Sequence, residues 1–279
     1  MPIVLIVLGM AGSGKTTFVQ RLVSQMSMEG KRTYNVNLDP AVLEVKFPAS
    51  IDIRDSVKYK NIMKSYKLGP NGAILTCLNI FAAQFDQVVK LIEAKKDDID
   101  YVIIDTPGQI EAFSQSASGQ IITDSLACTF PCINLYIADT VRCENPNTFM
   151  SNMFYALSIL YKSKIPLLIC FNKIDVLDHS FALEWMKDFE QFDQNLSKVD
   201  TYLSSLSRSL SLVLEEFYKN IEACGVSAGT GKGFDKLELK FEKCKQEYYD
   251  VFYLEIQKKL KEKQDGQGVA MSAFEDQLK

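Results

Sequence analysis

The strongest chemical signal in this sequence lies in eight residues near its N-terminus. Residues 9–16 read G-M-A-G-S-G-K-T, which fits the pattern G-x-x-x-x-G-K-[ST]. The glycines let backbone N–H groups turn inward around an anion, and the N-terminus of a following helix adds partial positive charge. In this pattern Lys15 binds the β- and γ-phosphates of a nucleotide, and the Thr16 hydroxyl is a magnesium ligand. The segment therefore predicts a phosphate-binding loop.

A second segment, D-T-P-G at residues 105–108, directly follows the apolar run Y-V-I-I. Alone, D-x-x-G is usually a turn that ends a strand, but beside a phosphate loop it gains a chemical role. We expect Asp105 to hold magnesium through a water molecule and the backbone N–H of Gly108 to sense the γ-phosphate.

A third segment, N-K-I-D at residues 172–175, follows the apolar run L-L-I-C-F. Asp175 can accept two hydrogen bonds from the N1–H and amino group of guanine, whereas adenine offers neither donor there, so the pattern predicts GTP over ATP. The stem of Lys173 can cover the base, and a backbone N–H at Ala228, in G-V-S-A, can reach the guanine O6. The predicted nucleotide-binding residues are Gly12, Ser13, Gly14, Lys15, Thr16, Thr17, Asn172, Lys173, Asp175, Ser227 and Ala228, and the predicted metal ligands are Thr16 and Asp105.

Short apolar runs alternate with amphipathic stretches along the chain, which predicts a parallel sheet covered by helices, with ligands at the carboxyl ends of its strands. The predicted strands are residues 3–8, 33–37, 101–105, 133–139, 167–172 and 223–227. The predicted helices are residues 79–95, 148–162, 179–192 and 202–221, with a last helix at about 233–263. The polar tail, residues 264–279, is predicted to be disordered.

Composition excludes several other classes. The formal net charge of -4 supplies no overall basic surface, so nucleic acid is not an expected direct partner. No apolar run approaches the ~20 residues needed to span a bilayer, so we expect no membrane association. The seven cysteines are predicted to be reduced buried thiols; Cys128 and Cys132 lack the second ligand pair of a zinc site.

Further segments place these motifs in a family. Gly69-Pro70-Asn71, between N-L-D-P-A at residues 37–41 and D-T-P-G-Q at 105–109, resembles the signature of the GPN-loop GTPases. The resemblance covers about residues 3–260 and implies an α/β P-loop NTPase fold of the signal-recognition (SIMIBI) type, with a mostly parallel sheet flanked by helices. It also implies one GTPase domain over residues 1–263, with a helical insertion at about 178–222.

The resemblance further implies a dimer built around the GTP/GDP and Mg²⁺ sites, in which Asn71 acts on the partner's phosphates. Asp39 could accept a proton from the attacking water or orient it, and Gln109 could help. An ordinary strand-end cap for Asp39 and a solvent-facing helix residue for Gln109 are the structural alternatives. The partner would be a second copy or a GPN-loop paralogue.

The phosphate loop and D-T-P-G-Q-I-E are most similar to the eukaryotic XPA-binding branch of this family. That similarity implies a cytoplasmic protein, able to shuttle to the nucleus, that acts with RNA polymerase II subunits or assembly factors in polymerase assembly and nuclear import. Apolar faces of the 202–221 and 233–263 helices could bind client peptide or pack on the chain's own sheet. Two other functions remain open: a nucleotide-stabilised chaperone or import adaptor with negligible turnover, and a related ATPase, which Asp175 disfavours.

Overall fold

A seven-stranded sheet forms the centre of the molecule. The computed structural model describes residues 1–188, 190–192, 194, 217–218 and 221–254. The strands are β1 (Ile3–Leu8), β2 (Thr33–Asn37), β3 (Ile51–Asp52), β4 (Tyr101–Asp105), β5 (Cys132–Asp139), β6 (Leu167–Asn172) and β7 (Glu222–Val226). Their order is β3-β2-β4-β1-β5-β6-β7, and every pairing is parallel. The predicted α/β fold with a parallel sheet is confirmed.

Helices cover both faces of this sheet. They are α1 (Lys15–Met28), α2 (Ile53–Ser56), α3 (Tyr59–Tyr66), α4 (Pro70–Ala82), α5 (Phe85–Ala94), α6 (Ile110–Ser114), α7 (Ala117–Ala127), α8 (Thr140–Cys143), α9 (Pro146–Ser163), α10 (Ser180–Lys187) and α11 (Leu237–Glu247). Helices α1 and α11 pack on one face of the sheet, and α4, α5, α7 and α9 pack on the other. The central strands are buried throughout, which explains why they read as continuous apolar runs.

The carboxyl ends of the parallel strands meet along one edge of the sheet. The phosphate loop follows β1, Asp39 lies two residues beyond β2, and Asp105 ends β4. The N-K-I-D segment begins at the last residue of β6, and Ser227 follows β7 directly. The topology therefore brings together the three predicted motifs, Asp39 and Ser227, although up to 218 positions separate them in the sequence.

The structure corrects the sequence prediction in several places. The helix predicted over residues 79–95 is two helices, α4 and α5, with a 57° bend between them. Strand β3 was not predicted, because a strand of two residues is too short to show an alternation of apolar and polar side chains. The helix predicted at 179–192 appears as α10, which ends at Lys187; Asp188 interrupts the helix, and residues 190–192 are again helical. Most of the helix predicted at 202–221 and all of the tail at 264–279 lie outside the described residues.

The predicted C-terminal helix is described as far as residue 254. It begins with a 3-10 turn (Phe234–Lys236), continues as α11 and a π-helical turn (Tyr248–Phe252), and is still helical at the last described residues, Tyr253 and Leu254. Leu237, Phe241 and Cys244 are buried against the sheet, and the Tyr248 hydroxyl donates to the carbonyl of Ala127. This part of the apolar stripe thus packs on the chain's own core rather than on a client.

Two predictions about absent features concern the described residues. Within them, no single helix is long and apolar enough to cross a membrane; only the bent α4–α5 pair passes the same test jointly. The described part of the chain also contains no cluster of three or more His, Cys, Asp or Glu side chains that could hold a metal ion by itself. None of the seven cysteines, all of which lie in the described part of the chain, forms a disulfide bond; five are buried as predicted, whereas Cys224 is half-buried and Cys128 is exposed.

Asp52 lies in the edge strand β3, and its carboxylate connects that strand to α2 and to the neighbouring strand β2. Its carboxylate accepts hydrogen bonds from the Arg54 guanidinium at 2.7 Å, the Arg54 backbone N–H at 2.9 Å and the Asn37 side-chain amide at 3.0 Å. Burial alone would raise the pKa of Asp52, but these donors outweigh it and hold the pKa below its usual value. A depressed carboxyl pKa stabilises the fold above the unfolded value, about 3.9, and the contribution is lost as the pH falls through the folded pKa.

We therefore expect Asp52→Asn to lower the free energy of unfolding by about 2 kcal/mol at pH 7. The difference from the wild-type chain should narrow below about pH 4, as the wild-type carboxyl becomes protonated. Urea unfolding followed by circular dichroism between pH 3 and pH 7 checks this. Asp86→Asn, which removes an exposed ion pair with Lys90, is the matched control and should cost less than about 0.5 kcal/mol. An Asp52→Asn effect independent of pH would show that the carboxylate charge is not the source.

Candidate nucleotide site

The phosphate loop runs from the end of β1 into the first turn of α1. Gly14, the last residue before the helix, has a left-handed backbone with φ of 90°, and a Cβ there would lie 2.6 Å from the side-chain amide of Asn172. Any other residue would be strained and would clash, so glycine is required. The N-terminus of α1, with its unpaired N–H groups, points into the same loop. This geometry confirms the predicted local setting of the loop, a strand end opening into a helix.

Lys15 lies inside the loop rather than in solvent. Its ammonium donates to the carbonyls of Gly9 at 2.6 Å, Met10 at 3.2 Å and Gly108 at 3.3 Å. Burial lowers the pKa of Lys15, against the opposing charges of Asp105, Asp39 and Glu111. A buried cation held only by carbonyl oxygens lacks a full counter-charge, and a phosphate group would supply it.

Asp105 is the buried acid of the site. Its Oδ2 lies 3.5 Å from the Thr16 hydroxyl, and its Oδ1 is buried with no hydrogen-bond partner among the described residues. Burial, followed by repulsion from Asp39, raises the pKa of Asp105 to about 7. A carboxylate with one free oxygen beside a threonine hydroxyl is the hard oxygen environment that Mg²⁺ prefers. Two protein groups do not complete its coordination, so phosphate oxygens and water would have to supply the remaining ligands.

Asp39 lies beside the D-T-P-G segment. Its Oδ2 accepts the Gly108 N–H at 3.2 Å, and its Oδ1 accepts the Ala41 N–H at 2.9 Å. The N–H that was predicted to sense a γ-phosphate is thus bonded to the predicted catalytic carboxylate. Gln109, the next residue, is half-buried at the N-cap of α6. The structure therefore places Asp39 in direct contact with the D-T-P-G-Q segment.

Asn172 connects three parts of the site. Its side-chain amide donates to the Ser13 carbonyl at 2.9 Å, and its Oδ1 accepts the backbone N–H groups of Lys173 at 2.9 Å and Ala228 at 3.0 Å. It thereby links the phosphate loop to both base-binding segments. The Ala228 N–H that was predicted to reach guanine O6 is already donated to Asn172 and would have to be shared.

The carboxylate predicted to select the base is held from one side. Asp175 is exposed, and its Oδ1 accepts the hydroxyl of the buried Ser227 at 2.5 Å. Ser227 Oγ also accepts the Thr230 N–H at 3.1 Å, which fixes the turn after β7. The serine was predicted only as part of a weak motif; the structure shows that it orients Asp175.

Three other residues at the site belong to none of the recognised motifs. Arg21, on α1, donates to the carbonyls of Ala228 at 3.2 Å and Gly229 at 2.7 Å. Asp139 and Arg142, at the end of β5 and in α8, lie beside the phosphate loop. The position of Asp139 could have been predicted from the sheet order. Strand β5 is the parallel neighbour of β1, so Asp139 at the carboxyl end of β5 lies next to the phosphate loop that follows β1.

The remaining predicted residues are exposed. Thr17 lies on the first turn of α1. Gly69 is the N-cap of α4, and Pro70 and Asn71 are the first residues of the helix. The triplet is thus a helix N-terminus, in which proline is favoured at the first position, rather than an isolated turn.

Comparison with known proteins decides the family. A family model described as "Conserved hypothetical ATP binding protein" matches residues 7–247. GPN-loop GTPase QQT2 of Arabidopsis thaliana is 54% identical over 250 residues, which make up 90% of this chain and 66% of the relative. GPN-loop GTPase 1 of Saccharomyces cerevisiae is 53% identical over 265 residues, covering 91% of this chain and 69% of the relative. The chain belongs to the GPN-loop GTPase family.

The resemblance predicted from the motifs is confirmed, and the family is one of GTP-binding GTP hydrolases. The GPN-loop GTPase PAB0955 of Pyrococcus abyssi, crystallised in apo form, superposes with a TM-score of 0.76 at 27% identity, covering 86% of this chain and 96% of that one. The chain spans about two thirds of the length of the two relatives above. The relatives and the solved structure are named as GTPases, whereas the description of the family model names ATP.

Proposed function

We propose that this chain binds GTP with magnesium and hydrolyses it, and that it works as a dimerisation switch in the assembly and nuclear import of RNA polymerase II. The observation that supports hydrolysis best is the Asp39 carboxylate, which is bonded to Gly108 at the edge of the phosphate loop. This arrangement places a potential proton acceptor beside the segment that faces the γ-phosphate. The guanine preference rests on Asp175.

Magnesium fits the buried acid site. Asp105 and Thr16 would hold it, and when bound it would neutralise charge on the phosphate oxygens. The unpartnered Oδ1 of Asp105 is the feature that favours a divalent cation over a purely structural carboxylate. Lys15 would exchange its carbonyl partners for phosphate oxygens.

The Asp39–Gly108 hydrogen bond couples nucleotide state to the catalytic carboxylate. If the Gly108 N–H turns to a γ-phosphate, Asp39 loses that donor, and its Oδ2 becomes available to accept a hydrogen bond from the attacking water. Loss of the γ-phosphate would return the N–H to Asp39. The same exchange would move the D-T-P-G-Q segment and α6, which is how a switch could reach a partner surface.

A dimer is supported by the position of Asn71. It is exposed at the N-terminus of α4, together with Gly69 and Pro70. An exposed amide on a rigid helix end can reach into a second chain's site without refolding. The polymerase role rests on the sequence resemblance described above, as does the cytoplasmic location with shuttling to the nucleus; polymerase subunits or assembly factors are the proposed clients.

We expect GTP turnover per chain to rise with protein concentration and to be insensitive to ATP. Asn71→Ala should remove the concentration dependence and lower turnover about tenfold, because a site completed by a second chain loses its added contact. Phosphate release from 0.1 to 50 μM protein is the measurement. Asn79→Ala, an exposed asparagine at the other end of α4, is the matched control and should behave as wild type. Turnover independent of concentration, unchanged by Asn71→Ala, would exclude action in trans.

The alternative is a nucleotide-stabilised chaperone or import adaptor with negligible turnover. It would give tight GDP binding, stabilisation by GDP and no phosphate release at any concentration. Adding a GPN-loop paralogue to the same assay distinguishes this adaptor from a GTPase that is active only as a heterodimer. Only the heterodimer would release phosphate after the addition.

A further inference from the structure

Three consecutive carbonyls of the phosphate loop are held from outside. The carbonyl of Ala11 accepts from Arg142 at 3.3 Å, that of Gly12 accepts from the Lys173 ammonium at 3.1 Å, and that of Ser13 accepts from Asn172. Because a trans peptide is planar, each carbonyl that faces outward turns the following N–H to the opposite side. The bonds to Ala11 and Ser13 thus direct the N–H groups of Gly12 and Gly14 toward the phosphate side. The Ser13 N–H, which follows the Gly12 carbonyl, donates to the Met10 carbonyl at 3.2 Å and closes the turn of the loop.

Two of the three donors converge on Asp139. Its Oδ2 lies 2.6 Å from the Lys173 ammonium and 3.5 Å from Arg142 Nε, and its side chain is only 8% exposed. Its Oδ1 accepts the Val141 N–H at 3.2 Å, which fixes the carboxylate at the start of α8. Asp139 is therefore a buried anchor that holds two long cationic side chains against the carbonyls of the loop.

The surrounding groups support the same arrangement. Lys173 has a left-handed backbone with φ of 72°, an unusual conformation for lysine that directs its side chain back over the loop. The Arg142 guanidinium lies over Gly12, 3.2 Å from where a Cβ would stand. The hydroxyl of Thr140 donates to the Asn172 carbonyl at 2.6 Å, so the ends of β5 and β6 are tied together.

We infer that Asp139 is a positioning residue for the phosphate loop. Through Arg142 it fixes the peptide that carries the Gly12 N–H, and through Lys173 it fixes the Gly12 carbonyl, so that the loop is held ready for the β-phosphate. The inference rests on the proposed nucleotide function and adds a residue to it. Arg142 contacts the loop at the Ala11 carbonyl, and Asp139 holds Arg142 in place. They set the conformation of the loop from the side that faces away from the phosphates, and neither residue belongs to a recognised motif.

The test compares GDP with GMP, because GMP lacks the β-phosphate. Asp139→Asn should weaken GDP binding about tenfold, by loss of a charge-assisted contact, and should weaken GMP binding about threefold or less, so that the ratio of the two affinities falls. Arg142→Gln should weaken GDP binding about threefold to fivefold by loss of a more exposed contact, and Arg142→Lys should recover at least half of that loss. Calorimetric titration measures both ligands. Asp86→Asn makes the same chemical change on exposed α5 and should leave both affinities unchanged.

Thermal unfolding without nucleotide separates positioning from general instability. The expected result is a midpoint within about 2 °C of wild type for Arg142→Gln, whose side chain is 63% exposed, so this variant tests the inference even if Asp139→Asn folds poorly. Equal losses for GDP and GMP, or wild-type GDP affinity in Arg142→Gln and Asp139→Asn, would overturn it. Wild-type GTP turnover in the same preparations tests the proposed function separately, because affinities remain measurable when turnover is absent.

Discussion

Asp175→Asn is expected to weaken GTP binding about a thousandfold, because guanine loses two hydrogen bonds to a carboxylate and meets an amide donor instead. The same variant should gain affinity for XTP, whose base carries a carbonyl where guanine has an amino group. The asparagine amide can donate to that carbonyl. Competition of GTP, XTP and ATP against a fluorescent guanine nucleotide measures the change in preference.

The control for this variant is Asp178→Asn, which changes an aspartate three positions further on whose side chain is 63% exposed. It should alter GTP affinity less than about threefold. Gain of XTP binding distinguishes base recognition from misfolding, since an unfolded site gains nothing. If Asp175→Asn bound GTP as tightly as wild type, guanine would have to be selected elsewhere.

Asp39→Ala is expected to reduce GTP turnover about 100- to 1,000-fold while GTP affinity stays within about threefold. The carboxylate contacts Gly108 and Ala41, and the Lys15 bonds to the phosphate loop are made independently of it. Single-turnover phosphate release separates chemistry from product release, and titration with a non-hydrolysable GTP analogue gives the affinity.

Asp55→Ala, an exposed aspartate on α2, is the control for Asp39→Ala and should leave both quantities unchanged. Asp39→Asn adds a further distinction, because it keeps an oxygen acceptor for the Gly108 N–H and loses the proton acceptor. If Asp39→Asn hydrolysed GTP at the wild-type rate, Asp39 would be a strand-end cap rather than part of the reaction.

Much of the site was predictable because its motifs directly follow strands that can be recognised in the sequence as apolar runs. β1, β4 and β6 have the predicted bounds, since strands buried on both faces leave little ambiguity. Parallel pairing then brings Lys15, Asp105 and Asp175 to one edge without further information. These residues depend on backbone topology, which the sequence pattern encodes.

Side chains that act on the backbone of distant segments were not predictable in the same way. Arg21 and Arg142 hold loop carbonyls, and any flexible cation at a suitable distance could do so. The division between α4 and α5 was also missed, because residues 79–95 keep an apolar spacing across the break. Such features depend on three-dimensional approach, and no local spacing specifies them.

The contact from Arg21 has a consequence for nucleotide exchange. Helix α1 would receive the phosphates at its N-terminus, and about one and two-thirds turns later Arg21 holds the segment predicted to border the base. A helix of this length is stiff, so a tilt that opens one end of the cleft displaces the other. We therefore expect the phosphates and the base to be released together, because α1 would move as one rigid body in contact with both parts of the site.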